Sequence, residues 1–294
     1  MTLTYEDRIC GSLLAGALGD AIGAHFEGRP ADPDFEIPGE LRVTDDTQLT
    51  IATCEAIVES GQVDPQSIGQ SFARWFRQRR ITGVGASTLK ALIELENGAH
   101  WALVGATGEH SAGNGAAMRI APLAFVLDPD DDSSRQTIRD VCRITHRNEE
   151  AYVGALAIVR AIRHAVAGGS LDSGFLRVLI ASLPDSRVRD RLVAAGKSSF
   201  LVREYSARFA SSGYVVDSVP LAILAAVEFP DFMAGVRQII LCGGDTDTIA
   251  SMYGQIHGAA FGHYELPAEI LVRVVAAPLV RETATSFSRV AAAL

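Results

Sequence analysis

The chain lacks the cysteine pattern of a stapled or metal-bound small domain. Its four cysteines, Cys10, Cys54, Cys142 and Cys242, are dispersed across 294 residues with no CxxC pair. That gives no support to a disulfide framework or a structural zinc site. With no basic segment leading into an apolar one at the N-terminus, a reducing cytoplasm is the expected compartment. Cys10, Cys54 and Cys142 lie in apolar helical runs and are expected as small buried hydrophobes, whereas Cys242 precedes a glycine pair. Long apolar runs are missing too, and nothing approaches the ~20 charge-free residues of a membrane span. Excess positive charge is absent: a formal net charge of −9 leaves no electrostatic footprint for nucleic acid or an anionic membrane. The run Arg74, Arg77, Arg79, Arg80 is the local exception and reads as a solvated helix face. No Pro/Ser-rich linker, low-complexity tract or repeat divides the sequence, so residues 1–294 read as one domain, expected as a monomer. The stretch Glu27 to Glu40, with Pro30, Pro33, Pro38 and Gly39, is expected as a surface loop.

Strict apolar–polar alternation, the mark of a half-buried strand, does not occur. The periodic segments read as helix instead: Thr47 to Glu59, Gln66 to Arg79, Ala86 to Leu95, Glu149 to Ala167, Val219 to Phe229, Asp231 to Leu241 and Ile249 to Phe261. Pro220 fits a first helical turn behind an Asp217/Ser218 cap, and Gly243 fits a helix stop. Near the N-terminus Gly11, Ala15 and Gly19 form a small-residue face suited to close helix packing. The expected fold is all-α, a single compact orthogonal helical bundle whose helix starts and loops converge on a site.

Two acidic clusters carry the chemistry. Thr44-Asp45-Asp46-Thr47 and Gly243-Gly244-Asp245-Thr246-Asp247-Thr248 each stand just before an apolar helical run. Capping accounts for one side-chain oxygen at a helix start, but not for two adjacent carboxylates, which repel unless a cation neutralises them. Carboxylates with threonine hydroxyls are hard oxygen donors for Mg²⁺ or Mn²⁺. Two such clusters read as halves of one metal site assembled by folding.

Other constellations are weaker singly. Asp20 and Glu27 share a face if the first helix continues, and Glu27 can then project into a cleft as a general base. The turn from Gly83 and Gly85 through Ser87 and Thr88 opens a helix and can present amides to an anion, although no Walker lysine follows it. In Ser111-Ala112-Gly113-Asn114-Gly115, Asn114 suits a left-handed conformation. Thr145-His146 ends one helix before another begins. No HExxH or GxSxG occurs, so zinc-protease and serine-triad chemistry have no support.

In this order the set resembles the ADP-ribosylglycohydrolase family. The matching pieces are Gly16 to Gly23 with Glu27, Thr44 to Thr47, Gly83 to Thr88, Gly113-Asn114-Gly115 with Met118-Arg119, and Thr145-His146. Gly213-Tyr214-Val215-Val216-Asp217-Ser218 and Gly243 to Ala250 complete it. The resemblance implies an all-α domain with two divalent cations, Mg²⁺ or Mn²⁺, that removes ADP-ribose from a modified acceptor. It implies Thr44, Asp45, Asp46, Asp245, Asp247 and Thr248 as metal ligands, and Glu27 or Asp46 as the catalytic carboxylate. It further implies contacts to ADP-ribose from Gly83, Gly85, Ser87, Ser111, Gly113, Asn114, Gly115, His146 and Tyr214. After Glu27, Gly28-Arg29-Pro30 departs from the aromatic-acid-alanine ending expected of serine-linked hydrolases, while Tyr214-Val215-Val216 looks closer to the bacterial arginine-directed branch. ADP-ribosyl-arginine is therefore the expected substrate, with a serine-linked or other ADP-ribose derivative as the alternative.

Two competing readings remain. Isoprenoid-diphosphate chemistry also pairs helices with acids and Mg²⁺, but it requires further acids one turn on, where Thr47-Gln48-Leu49-Thr50 stands. A catalytically silent ADP-ribose binder or structural protein is the other. It has no need to keep Glu27 and four clustered aspartates.

Overall fold

A computed structural model describes residues 3–29, 32–198 and 201–294; Pro30, part of the stretch expected as a surface loop, lies outside them. The chain is all-helical, and no strand forms among the described residues. In chain order the helices are α1 (Tyr5–Gly23), α2 (Asp45–Ser60), α3 (Pro65–Arg77), α4 (Ala86–Glu96), α5 (Trp101–Val104), α6 (Ala121–Val126), α7 (Asp132–Arg143) and α8 (Glu149–Val166). They continue as α9 (Ser173–Ser182), α10 (Arg187–Ser198), α11 (Val202–Phe209), α12 (Val215–Glu228), α13 (Phe232–Cys242), α14 (Thr246–Phe261), α15 (Ala268–Leu271) and α16 (Ala277–Ala291).

The small-residue face of α1 explains the centre of the molecule. A methyl group placed on Gly11 would fall 2.2 Å from the Gly258 carbonyl, on Gly19 2.2 Å from the Ala250 carbonyl, and on Gly23 2.4 Å from the Thr246 carbonyl. Conversely, one on Gly254 would meet the Ala15 carbonyl at 2.2 Å. One helix number rises by four as the other falls by four, so α1 and α14 lie antiparallel in backbone contact over about three turns. Helices crossing at right angles cannot keep that register, so the orthogonal packing expected from sequence does not describe this central pair. Its consequence for function is direct: the C-terminal end of α1, carrying Asp20, is held against the N-terminal end of α14, carrying Asp247.

Several boundaries differ from expectation for identifiable reasons. Helix α2 begins at Asp45 behind a Thr44 cap, so both acids sit inside its first turn. Helix α12 begins at Val215, which places Asp217 and Ser218 within the helix rather than at its cap, and Pro220 in its interior. The Val216 carbonyl that Pro220 cannot satisfy accepts from the Tyr205 hydroxyl instead, at 3.4 Å. Helix α1 ends at Gly23 and the backbone turns through residues 24–27, so Asp20 and Glu27 do not share a helix face. Helices α7, α9, α10, α11 and α16 escaped the periodicity reading; α7 opens on polar residues and buries only Ile138, Val141 and Cys142. Gly243 is the stop of α13 at φ +67. Cys10, Cys54 and Cys142 are buried free thiols, with Cys242 half-buried.

Candidate active site

Three helix ends meet around carboxylates. Asp20 is fully buried at the end of α1 and receives the start of α2: the Thr44 amide at 3.1 Å, the Thr44 hydroxyl at 2.8 Å, the Thr47 amide at 3.1 Å and the Thr47 hydroxyl. It is an N-terminal anion for α2 supplied by a different helix, which satisfies amides that a helix start leaves open. Asp46 projects from the same turn beside Thr248 of α14, whose hydroxyl donates to its Oδ2 at 3.2 Å. From the other side, the Asp245 amide donates to the Ser211 carbonyl at 2.8 Å. Gly244 allows that approach at φ +76, since a methyl group there would lie 2.1 Å from the same carbonyl. The Asn114 side-chain amide reaches Asp245 Oδ2 at 2.5 Å.

Carboxylate oxygens of Asp20, Asp46 and Asp247 lie within 4.8 Å of one another, and so do those of Glu27, Asp245 and Asp247. The two triads share Asp247. No arginine or lysine among the described residues forms an ion pair with any of these acids; the arginines that pair do so elsewhere. The fit to a cation rests on Asp46, whose Oδ1 is buried without a hydrogen-bond partner among the described residues, a costly state for a carboxylate that a divalent ion would relieve. Asp20 belongs to the first triad by distance, yet its oxygens already accept from α2. It therefore fits an orienting role better than direct ligation.

Burial first, and mutual repulsion second, pushes these groups up: Asp20 to about 7, Asp45 to about 8, Asp247 to about 7, and Asp46 well above its ordinary value. Glu27 is raised chiefly by the Asp247 charge. In the unfolded chain these carboxyls ionise near pH 4. Between about pH 4 and 8 the folded, metal-free chain thus holds more protons than the unfolded one, and its stability falls as pH rises through that window. The expected result in EDTA is a melting temperature lower by roughly 5 °C or more at pH 8 than at pH 5.5, with Mg²⁺ or Mn²⁺ restoring it at pH 8. A melting curve indifferent to both pH and metal would contradict a charge-crowded site.

The second triad, which includes the shared Asp247, lines a cleft of about 500 Å³. Of the residues expected from sequence, Glu27, Asp45, Asp245, Asp247, Thr248, Gly83, Gly85, Ser87, Gly113, Asn114, Gly115 and His146 line it. Thr44 and Asp46 lie behind that surface. Thr44 turns its hydroxyl to Asp20 and Asp46 rather than to the cleft. Ser111 and Tyr214 do not line it: the Ser111 hydroxyl is committed to the Gly108 carbonyl at 2.6 Å, and the Tyr214 hydroxyl accepts from Arg187 at 3.4 Å. Asn114 is not left-handed, because it opens a 3₁₀ turn and uses its side chain on Asp245.

One wall is suited to anions. Gly83, at φ +81, packs on Thr44, and Gln48 holds the preceding Thr82 amide at 2.8 Å. This delivers the start of α4 to the cleft with no side chain capping it, leaving the first-turn amides of Ala86, Ser87 and Thr88 available. Farther along, His146 is buried against Gly113 and Gly115, with Nδ1 2.8 Å from the Thr145 hydroxyl. Burial and then the Arg119 charge pull its pKa down to about 3, so the ring stays neutral at physiological pH and offers a hydrogen-bonding wall rather than a proton.

A model of the ADP-ribosylglycohydrolase family matches residues 1–293. The chain belongs to that family. As an ADP-ribosylglycohydrolase it is a hydrolase of glycosyl bonds. It is similar to the ADP-ribosylarginine hydrolase Tri1 of Serratia proteamaculans, 28% identical over 92% of this chain and 75% of the relative. It is also similar to mouse ADP-ribosylhydrolase ARH3, 26% identical over 88% of this chain and 85% of the relative. A solved structure titled ADP-ribosylglycohydrolase-related protein complex superposes with a TM-score of 0.79 at 25% identity, covering 98% of this chain and 99% of that one.

Three polar side chains at the site of this glycohydrolase, those of Asp20, Thr88 and Ser212, lie outside the set expected from sequence. Asp20 was paired with Glu27, yet its signal was its setting, a lone carboxylate inside an otherwise apolar, glycine-rich helix. Thr88 and Ser212 also line the cleft. Thr88 closes the Gly83–Thr88 motif; Ser212 carries no sequence signal beyond its place before Gly213.

Proposed function

We propose that this ADP-ribosylglycohydrolase cleaves the N-glycosidic bond between ADP-ribose and an arginine side chain of an acceptor protein, with two divalent cations, Mg²⁺ or Mn²⁺, in the carboxylate site. The buried Oδ1 of Asp46, unpartnered among the described residues and within the triad that shares Asp247 with the second, carries the reading. Asp46, Asp247 and Thr248, with Thr44, would hold one cation; Asp45, Asp245 and Asp247, with Glu27, the other. Bound there, the cations supply Lewis acidity and orientation for ribose hydroxyls and water.

The chain's own groups perform the remaining steps. The α4 amides and the Gly113–Gly115 turn hold the diphosphate and ribose, so no basic surface is required. Asn114 keeps Asp245 aimed at the cleft. Glu27, at its rim and lifted by Asp247, takes the proton of the attacking water as the bond to the anomeric carbon develops oxocarbenium character. The proton then leaves with the departing guanidine. A single domain and a cytoplasmic monomer complete the proposal; no helix among the described residues is long and apolar enough to cross a membrane.

The arginine assignment is supported by the Tri1 likeness and by the Gly28-Arg29 departure after Glu27; the ARH3 likeness supports the wider class of ADP-ribose derivatives. The test is release of ADP-ribose from arginine-linked and serine-linked substrates side by side, with and without Mn²⁺. Release from the serine-linked substrate alone would replace the arginine assignment, and release unaffected by EDTA would remove the metal. Glu27→Gln is expected to lower turnover by about 10²–10³-fold while leaving ADP-ribose affinity within a few-fold. Unchanged turnover would take the base role from Glu27.

A further inference from the structure

Beyond His146 the cleft adjoins a second, smaller recess that the reaction above does not use. Its volume is about 130 Å³, roughly four waters' share of liquid. Arg139, Arg143 and Arg147 line it, together with Thr107, Asn148 and His146, the last shared with the main cleft. Two of the three arginines are matched. Arg139 pairs with Glu149 and lies over the Tyr152 ring, and Arg143 approaches Asp140 at 3.4 Å. Arg147 has no ion pair among the described residues. Its backbone amide is tied to the Ala106 carbonyl at 2.8 Å and its stem rests against Gly105, so the base of the side chain is anchored while its guanidinium is uncommitted. The start of the 18-residue helix α8, capped by Asn148, adds its positive end to the same recess. The carboxylate of Glu149 also lines it and is the one opposing charge there.

We infer that this recess is an anion site for a phosphate group, with Arg147 as its principal ligand and Arg143 and Thr107 as its neighbours. A guanidinium without a carboxylate partner among the described residues, with a threonine and the positive end of a helix lining the same recess, supplies the donor types a tetrahedral oxyanion requires. The phosphate can come from two sources. It can be a phosphomonoester on the adenosine ribose of the nucleotide in the main cleft, reaching past His146, or it can be free inorganic phosphate. The first source rests on the cleft being the ADP-ribose site; the second does not.

The experiment uses the full chain. Inorganic phosphate is titrated while ³¹P line width is followed, for wild type, Arg147→Gln, Arg147→Lys and the double variant Arg143→Gln/Arg147→Gln. The expected result is phosphate binding by wild type, weakened about tenfold in Arg147→Gln, further in the double variant, and largely retained in Arg147→Lys. Binding equal in wild type and the double variant, or none in wild type, overturns the inference, because the main cleft's own amides persist in every variant. In a second arm, ADP-ribose and its 2′-phosphate compete with an ADP-ribosylated substrate. An advantage of about tenfold for the 2′-phosphate that vanishes in Arg147→Gln assigns the substrate source. Equal competition, with phosphate binding still dependent on Arg147, assigns free phosphate. No competition by either nucleotide would overturn the reading of the main cleft and leave the first arm standing. Arg147→Gln is expected to hydrolyse an unphosphorylated substrate at the wild-type rate.

Discussion

Replacing Asp247 by alanine is expected to lower turnover by at least about 10³-fold, the largest effect of any single substitution in the site. The reason is its position: it is the one carboxylate common to both triads, so its loss removes an oxygen from each. Asp46→Ala should follow closely, since it deletes the buried oxygen that has no other partner. The two variants should also weaken Mn²⁺ binding in calorimetry. A second readout separates a charge effect from misfolding. In EDTA at pH 8, removing one member of a crowded, desolvated carboxylate group relieves repulsion, so Asp46→Asn should melt above wild type. A variant that loses activity and melts lower in EDTA would point to a broken fold instead. Full turnover by Asp247→Ala would end the metal-site account.

Substituting valine for Gly258 is expected to cost about 3 kcal/mol or more of stability, a drop of roughly 10 °C in melting temperature, or to prevent soluble expression. A methyl group at that position would lie 2.0 Å from the Gly11 carbonyl, a backbone atom that no rotamer change can move aside. The clash sits at the end of the α1–α14 pair remote from the carboxylates. Gly23→Ala acts at the other end, where the added methyl would lie 2.6 Å from the Cα of Asp247. There the expected order is reversed: activity falls by about 10²-fold for a displacement near 1 Å, with a smaller loss of stability. Thermal melts and turnover on both variants check the contrast. Equal effects of the two substitutions on stability and activity would show that the pair does not transmit its register to the site.

Much of this was legible in the residues themselves. Adjacent Asp45 and Asp46, and the glycine pair before Asp245, exceed what helix capping requires, and that excess is what marked them. The small-residue face of α1 was equally visible, because residues at positions 11, 15 and 19 repeat at helical spacing. Asp217 and Ser218 misled because they have the chemistry of a cap; α12 starts earlier since Tyr205 relieves the carbonyl that Pro220 leaves unpaired. Ser111 and Tyr214 misled because a motif fixes where the backbone goes and not what the side chain binds. Each hydroxyl has a local partner, and neither residue lines the cleft.

The sequence alone determined the helical class and the membership and side-chain chemistry of the acidic clusters, since these depend on local spacing and side-chain type. Tertiary structure decided which carboxylates meet, that Asp20 anchors α2 from another helix, that Asp247 is common to both triads, and that Arg147 has no ion pair among the described residues beside the cleft. Those facts depend on distances between residues far apart in the chain. The backbone contact of α1 with α14 sets the most important of them, because it admits only one register.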